Sequence, residues 1–270
     1  HGIGKNTDLE GKEIKWRNIR IKTENLEAER MQGTLAPEVN RVPNYLTDAE
    51  KADGWNLLFD GQTTTGWRGA HKEAFPDHGW KVEDGQLIVL KSGGGESTNG
   101  GDIVTDKEYA AFELSLEFKI TPGANSGIKY FVTEAEKPSG SAYGLEYQIL
   151  DDQRHPDAKL YTTVPGSRTL ASLYDMMPAK NKRFNGVGNW NQAVLKVFPD
   201  NRVEHWLNGF KTLEYERGSD AFREMVKGSK YAAPSYNEKG RFGEAPQGHL
   251  LLQDHGDEVA FRSIKIKELK

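Results

Sequence analysis

The stretch FELSLEFKI, residues 112–120, indicates the fold class because its apolar and polar residues alternate without interruption. One face carries Phe112, Leu114, Leu116, Phe118 and Ile120, and the other carries Glu113, Ser115, Glu117 and Lys119. A period of two residues is typical of a β-strand with one side in a core and the other in water. The stretch therefore predicts an outer strand of a two-sheet antiparallel sandwich.

Further strand patterns extend this interpretation along the chain. A hairpin is predicted over 79–90, because Asp84-Gly85 between two apolar runs is a strong turn signal. Other predicted strands cover 126–133, 144–150, 192–198, 202–210 (turning at Asn208-Gly209), 249–255 and 259–269. Helical patterns occur in NLEAERMQ (25–32), in a short capped segment near 47–55 and in a polar stretch near 219–230. The expected fold is all-β, with two packed antiparallel sheets.

Composition excludes several classes of function. The 270 residues have a formal net charge of −4 and include no basic tract, so binding to a phosphate backbone is not expected. The absence of Cys excludes thiol catalysis, Cys-ligated zinc and disulfides. No apolar run approaches the roughly 20 residues of a membrane span.

Two segments of the chain are similar in sequence, and this similarity suggests how the chain is divided. KEIKWRNIRIKTE (12–24) resembles DEVAFRSIKIKEL (257–269), and the pair His1-Gly2 has a counterpart in His255-Gly256. Residues 1–24 are accordingly predicted to be the last strand of a preceding copy of the domain, with a chance likeness as the alternative. Residues 25–54 are polar with turn residues and are predicted to be a linker, which leaves 55–270 as the domain. An adjoining copy of the domain is the expected protein partner.

The strand YGLEYQILDD (143–152) carries Glu146 and Gln148 on one face. If that face were core, each unpaired polar group would cost several kcal/mol, so we favour a face that lines a wet groove. Glu146 is then the leading catalytic candidate. A buried polar ladder between the sheets stays open as the alternative.

The spacing of Glu146, Gln148 and Asp151 resembles the Glu-x-Asp-x-x-Glu signature of jelly-roll retaining glucanases, whose outer carboxylates are nucleophile and general acid. The middle residue here is an amide and the last is one methylene shorter. A retaining mechanism needs two carboxyl groups about 5–5.5 Å apart, and this substitution pattern does not guarantee that pair. Asp151 is nevertheless a catalytic candidate.

Five further residues are candidates for the site. His255 lies near a strand end and could act as general acid or base, or as a structural histidine. Gln253 shares its face, and Asn125 lies at a strand entrance where it could bind a hydroxyl or form part of a turn. Arg154 follows the Glu146 strand in a loop, as a ligand contact or a solvated charge. Trp190 could stack on a sugar ring or pack in the core.

An Asp-rich stretch, 151–157, could supply oxygen ligands to calcium, although its spacing does not require an ion. No other cofactor is expected.

Seven segments occur in an order that resembles the 3-keto-disaccharide hydrolase family, formerly a domain of unknown function. They are LFDGQTTTGW, GGDIVT, YAAFELSLEFKITPGANSGIKYFV, YGLEYQILDD, NWNQAVLKV, VEHWLNGF and LQDHGDEVAFRSIKIKEL. The resemblance covers about 55–270 and implies a concanavalin A-like jelly roll. It also implies cleavage of the glycosidic bond of 3-keto-glycosides or disaccharides, with carbohydrate as the ligand.

A C3 ketone acidifies the C2 proton, so a base can form an enolate that expels the C1 leaving group. On this hypothesis Glu146 is the base and His255 or Asp151 the acid, while Arg154, Asn125 and Gln148 orient the sugar. A noncatalytic carbohydrate-binding module and a conventional retaining β-glucanase are the alternatives, since fold does not fix function. By analogy with other glycan-handling domains, we expect the protein to work outside the cytoplasm.

Overall fold

Thirteen strands and two α-helices form the part of the chain that the computed structural model describes, residues 40–93, 95–134, 140–237 and 240–270. The predicted strand 1–24 and the first part of the predicted linker lie outside these ranges. The strands are β1 (Trp55–Leu57), β2 (Trp67–Gly69), β3 (Trp80–Glu83), β4 (Gln86–Val89), β5 (Ile103–Tyr109), β6 (Phe112–Ile120), β7 (Asn125–Thr133), β8 (Tyr143–Leu150), β9 (Asn191–Val197), β10 (Arg202–Leu207), β11 (Phe210–Glu216), β12 (Gly248–Leu252) and β13 (Val259–Glu268). The helices are α1 (Asp48–Ala52) and α2 (Asp220–Lys227).

The strands form two antiparallel sheets. The larger has the order β11-β10-β9-β6-β13-β4-β3, with β1 also paired to β13, and the smaller has the order β2-β5-β12-β7-β8. The predicted all-β sandwich is therefore confirmed.

Strand β6 lies at the centre of the larger sheet, between β9 and β13. Its apolar residues Phe112, Leu114, Leu116, Phe118 and Ile120 are all buried in the core, as predicted. On its other face, Glu113 and Glu117 form ion pairs with cations of neighbouring strands.

Two hairpin turns follow the sequence signals. Asp84 and Gly85 have φ of 50° and 70°, and Asn208 and Gly209 have φ of 49° and 81°. Positive φ at both central residues is the requirement of a type I′ turn, which explains Asn or Asp followed by Gly. The predicted helix near 219–230 is also confirmed, as α2 capped by Ser219.

A polar network crosses the core between the sheets. The Nδ1 atom of His205 in β10 lies 3.1 Å from Ala171 O, and its Nε2 lies 2.9 Å from the Tyr130 hydroxyl of β7. Because a carbonyl only accepts, Nδ1 donates and Nε2 accepts. The Tyr130 oxygen lies 2.6 Å from the Tyr215 hydroxyl. Burial lowers the pKa of His205 to about 3, so this ring is neutral.

Residues 40–54, the described part of the predicted linker, belong to the compact unit Asn40–Lys270. Thr47 caps α1 in a capping box with Glu50, as its sequence predicts. Asn44 accepts a hydrogen bond from Ser263 N (2.7 Å) and donates to Gly85 O (2.8 Å). These contacts attach the segment to a bulge in β13 and to the β3–β4 turn.

Strand β8 ends the smaller sheet, but its outer edge is covered by residues 171–174. Gln148 N donates to Ser172 O (3.1 Å), Ala171 N donates to Gln148 O (2.8 Å), and Tyr174 N donates to Glu146 O (3.0 Å). The backbone around Glu146 is therefore held from both sides. No helix among the described residues is long and apolar enough to cross a membrane.

Candidate active site

Glu146 lies on the outer face of the smaller sheet, away from the larger one. Its neighbours Leu145 and Tyr147 point into the core, where the Tyr147 hydroxyl donates to Trp206 O of the larger sheet (3.1 Å). Since side chains alternate along a strand, Glu146 and Gln148 point the opposite way. The alternative of a polar ladder between the sheets is thereby excluded.

Strand β7 provides the space and the charge beside this carboxylate. Lys129 pairs with Glu146 and Gly127 pairs with Gln148, so all four residues share the outer face. A Cβ atom at residue 127 would stand 2.2 Å from Glu146 Oε1. The glycine is therefore a steric requirement of the Glu146 rotamer.

A cleft opens above these strands. It encloses about 370 Å³, part of it open solvent, and we call it the Glu146 cleft. Its lining consists of Glu96, Lys129, Ser141, Ala142, Tyr143, Gly144, Glu146, Lys230, Tyr231 and Tyr236. Two loops and a short 3-10 helix, Lys230–Ala232, thus build walls on a floor made by β7 and β8.

The Glu146 side chain is almost enclosed, at 4% exposure. Burial raises its pKa to about 7; Lys129 and Lys230 oppose this rise, and the negative charges of Glu96 and Asp102 reinforce it. A carboxyl group with this pKa exchanges a proton near neutral pH, which is what a general base or acid requires.

Gln148 holds the Glu146 carboxylate in place. With its amide nitrogen toward Glu146, it donates to Glu146 Oε1 and to Ser126 O, each over 3.1 Å. Its oxygen then accepts from the Asn125 side-chain amide over 3.2 Å when that amide is also turned, so that its nitrogen faces Gln148. This orientation is the one that satisfies the network, because a carboxylate only accepts hydrogen bonds.

Lys129 is a buried cation surrounded by acceptors. Its Nζ donates to Ser141 Oγ (2.7 Å) and Glu96 Oε1 (3.0 Å), and it lies 3.7 Å from Asp102 Oδ2. Burial alone would lower the pKa of Lys129, but Glu96, Asp102 and Glu146 together raise it. The side chain is therefore a fixed positive charge.

Lys230 supplies a second cation with different surroundings. Its Nζ lies 4.4 Å from the ring centroid of Tyr174, 5.2 Å from that of Tyr231 and 5.6 Å from that of Tyr236. Among the described residues no carboxylate forms an ion pair with it, and burial lowers its pKa. Its backbone is anchored, since Lys230 N donates to Asp175 Oδ2 (2.7 Å). The ammonium group is available to a ligand in the cleft.

Three of the predicted site residues lie around the cleft without lining it. Gln148 contacts Glu146, and Asn125 contacts Gln148. Gln253 Nε2 donates to Glu96 Oε1 (2.8 Å), while its own Oε1 is buried and has no hydrogen-bond partner among the described residues. Gln148 and Gln253 therefore act on the cleft through Glu146 and Glu96, which line it, and Asn125 acts through Gln148.

Asp151, predicted as an acid, does not lie in the cleft. Its carboxylate accepts from Gly123 N (2.9 Å), Gln153 N (3.1 Å) and Arg154 Nη1 (3.0 Å). Although burial opposes it, these donors lower the pKa of Asp151. The acid role is therefore corrected to that of a loop anchor, and Arg154 is its partner, with a side chain 54% exposed.

The predicted calcium ligands of 151–157 are used in ion pairs. Asp152 pairs with Lys182 (2.5 Å) and Asp157 pairs with Arg168 (3.1 Å), as Asp151 does with Arg154. These carboxylates are directed at different cations and do not converge on a common point.

Trp190 and His255 are also placed elsewhere. Trp190 lies on the outer face of the larger sheet, its ring 4.0 Å from the Arg262 guanidinium carbon and 4.8 Å from Lys119 Nζ. The predicted sugar stacking at the Glu146 cleft is therefore wrong for this residue. His255 lies in the β12–β13 loop beside His155, outside the cleft lining.

Sequence reasoning missed Glu96, Lys129, Lys230, Tyr231 and Tyr236. For Lys129 a signal existed: a lysine within the apolar strand 126–133 is as unusual as the glutamate of the next strand, and antiparallel pairing brings the two together. The others lie in loops or in the short 3-10 helix Lys230–Ala232, whose position over the sheet leaves no local pattern.

Comparison with known proteins identifies the family of the chain. Residues 54–267 match the model of the 3-keto-alpha-glucoside-1,2-lyase-like domain family. The chain is 37% identical over 236 residues to a 3-keto-disaccharide hydrolase of Bacteroides thetaiotaomicron, a match that covers 81% of this chain and 79% of that one.

Solved structures show the same sandwich. A candidate glycosyl hydrolase from Parabacteroides distasonis superposes with a TM-score of 0.70 at 33% identity, covering 85% of this chain and all of that one. A second candidate glycosyl hydrolase from the same organism gives a TM-score of 0.57 at 26% identity, covering 80% of this chain and 99% of that one. The chain belongs to the 3-keto-alpha-glucoside-1,2-lyase-like family.

Proposed function

We propose that this protein is a hydrolase that cleaves the glycosidic bond of 3-keto-glycosides, with Glu146 as the base. The observation that carries the proposal is an almost enclosed carboxyl group, its pKa raised to about 7, in a cleft that also presents two lysines. The homology of the chain to a 3-keto-disaccharide hydrolase supports the proposed substrate class.

The chemistry follows from the ketone. Glu146 removes the C2 proton, and the electron pair forms an enolate with the C3 oxygen. Collapse of the enolate breaks the bond between C1 and the leaving-group oxygen, which departs as a hydroxyl after taking a proton from Glu146 or from solvent. Water then adds at C1 and a proton returns to C2, so the net reaction is hydrolysis. The first half of the reaction is a 1,2-elimination, which agrees with the word lyase in the family's description. The net reaction is a hydrolysis, which agrees with the name of the related 3-keto-disaccharide hydrolase.

The two lysines have different roles. The Lys230 ammonium, which has no carboxylate partner among the described residues, stabilises the developing enolate oxygen. Lys129 is saturated by Glu96 and Ser141 and contributes a fixed field that keeps the pKa of Glu146 from rising further. Gln148 orients the carboxylate that takes the proton.

A second candidate function is direct displacement by a retaining glycosidase. Glu96 also lines the cleft, and although burial opposes it, Lys129 and Ser141 hold the pKa of Glu96 well below its usual range. Two carboxyl groups whose pKa values are driven apart are the pattern of an acid and a nucleophile. Against this role, Glu96 Oε1 already accepts from Lys129, Ser141 and Gln253.

One pair of substrates separates these functions. The protein is incubated with a 3-keto-glucoside and with the unoxidised parent, in D₂O. We expect cleavage of the oxidised sugar alone, with deuterium at C2 of the product, because C2 is deprotonated and then reprotonated from solvent.

Cleavage of the parent sugar without deuterium at C2 would overturn the proposal in favour of direct displacement. Binding of either sugar without cleavage would overturn it in favour of a noncatalytic binding module.

A further inference from the structure

Three potential metal ligands converge at the end of the smaller sheet, outside the Glu146 cleft. One ligand atom each of His155, His255 and Asp257 lies within 4.8 Å of the others. His155 follows β8 in the chain, and the other two lie in the loop between β12 and β13. Leu150, where β8 ends, is four residues from Glu146, which is roughly 13 Å along a strand.

We propose that His155, His255 and Asp257 bind a divalent transition-metal ion of the zinc class. Two imidazole nitrogens and one carboxylate oxygen are ligands that suit such ions, whereas calcium prefers oxygen alone. Ligand atoms of a tetrahedral zinc ion lie roughly 3.3–3.5 Å from one another. Atoms that lie within 4.8 Å of one another therefore each need to move by up to about 1 Å to bind the ion.

The state of the ligands fits this role. Nδ1 of His155 accepts a hydrogen bond from Asp157 N over 3.2 Å, so this nitrogen carries a lone pair, and a metal replaces only that long hydrogen bond. The two imidazole rings are nearly perpendicular, at 89°, with centroids 6.1 Å apart. The rings therefore do not stack on each other. The Asp257 carboxylate is fixed by Asn125 N, which donates to Oδ2 over 3.0 Å.

Both loops are braced before any ion binds. The buried Asp254 carboxylate accepts from Gly256 N (3.0 Å), Asn99 N (3.1 Å) and Gly101 N (3.2 Å), which fixes the loop that carries His255. Asp151 braces the loop before His155 through its three donors. A site held by such supporting contacts loses little conformational entropy on binding metal.

All three ligand residues are partly exposed, so water and a small ligand can reach an ion held there.

The test uses the full chain, treated with a chelator and titrated calorimetrically with ZnCl₂. We expect one site, at least tenfold weaker in His255→Ala and in Asp257→Asn. The asparagine variant keeps an oxygen for Asn125 N and is the safer of the two for folding. His78→Ala is the matched control, since His78 is an exposed histidine 2.5 Å from a carboxylate, that of Asp77.

A second readout does not depend on catalysis. The melting temperature should rise with ZnCl₂ in the wild type and in His78→Ala, and stay constant in Asp257→Asn. Equal zinc affinity in all variants, no binding up to millimolar ZnCl₂, or displacement of zinc by equimolar CaCl₂ would each overturn the proposal. Because no sugar is present, these outcomes are independent of the hydrolase activity.

Discussion

Two regions of this molecule bury titratable groups, and they do so in opposite ways. Between the sheets, His205, Tyr130 and Tyr215 are neutral and satisfy one another. On the outer face of the smaller sheet, Glu146, Lys129 and Lys230 bring charge into a nearly enclosed cleft. A neutral, saturated network specifies structure, whereas a carboxyl group of raised pKa that lines a cleft beside cations indicates a site where protons are exchanged.

Glu146→Gln tests the catalytic role of the cleft and has the largest expected effect. Removal of a general base typically costs 10²–10⁴-fold, and we expect turnover of a 3-keto-glucoside to fall by about 10³-fold. Substrate affinity should change little because the amide is isosteric. Steady-state kinetics with Glu117→Gln as the matched surface control measures this, and wild-type turnover in Glu146→Gln would contradict the assignment.

Lys230→Met tests the second cation. Loss of one donor to an oxyanion typically costs 10²–10³-fold, and we expect kcat to fall by about 10²-fold. Lys227→Met is the control, since Lys227 is exposed and pairs with Glu224. An unchanged kcat with a higher KM would mean that Lys230 binds substrate without stabilising the enolate.

Gly127→Ala tests the space beside the carboxylate. A Cβ atom 2.2 Å from Glu146 Oε1 must displace it, and displacement of a reacting group by about 1 Å can cost up to about 10²-fold. We expect a loss between about tenfold and that limit. Gly95→Ala is the matched control, because no atom of the described residues, chain neighbours aside, lies within 4 Å of a Cβ there. Equal kinetics in the two variants would show that the carboxylate position is not critical.

His205→Leu tests the other region. It leaves Ala171 O without its donor, and an unsatisfied buried acceptor costs about 1–3 kcal/mol of unfolding free energy. Urea denaturation measures that loss, and kcat should be largely retained. A variant that is inactive but as stable as the wild type would show that His205 serves catalysis and not stability.

The smallest expected effect is on pH-dependent stability. The pKa of Glu146 is raised from 4.5 to about 7 on folding, so its stabilising contribution is complete below about pH 4.5 and is lost as pH rises through 7. Between pH 6 and 8 the wild type should lose about 1 kcal/mol relative to Glu146→Gln. Chemical denaturation of both proteins at the two pH values measures this difference. An equal change in the free energy of unfolding in the two proteins would show that the pKa of Glu146 is not raised.

The sequence predicts those features of the fold that depend on residues close together in the chain. Alternation in 112–120 and in 143–150 fixed which side chains face the core, and Asp84-Gly85 and Asn208-Gly209 fixed two turns. Glu146 could be found because its charge breaks an apolar strand. Lys230 and Glu96 could not, because loop closure over a sheet depends on long-range contacts that no short window contains.

The errors have the same origin. Asp151 lies three residues beyond Gln148, but β8 ends at Leu150 and the chain turns, so strand geometry no longer applies to it. Trp190 precedes a strand of the larger sheet, and only the topology shows that this strand faces away from Glu146.

The segment 171–174 that covers β8 has a consequence for the protein in concentrated solution. An exposed terminal strand is a template for another chain, and self-association by strand addition is a common route to aggregates. Here the template is already occupied by the protein's own backbone, directly behind Glu146. The hydrogen bonds that fix the backbone of Glu146 therefore also prevent a second molecule from adding a strand at the edge of β8.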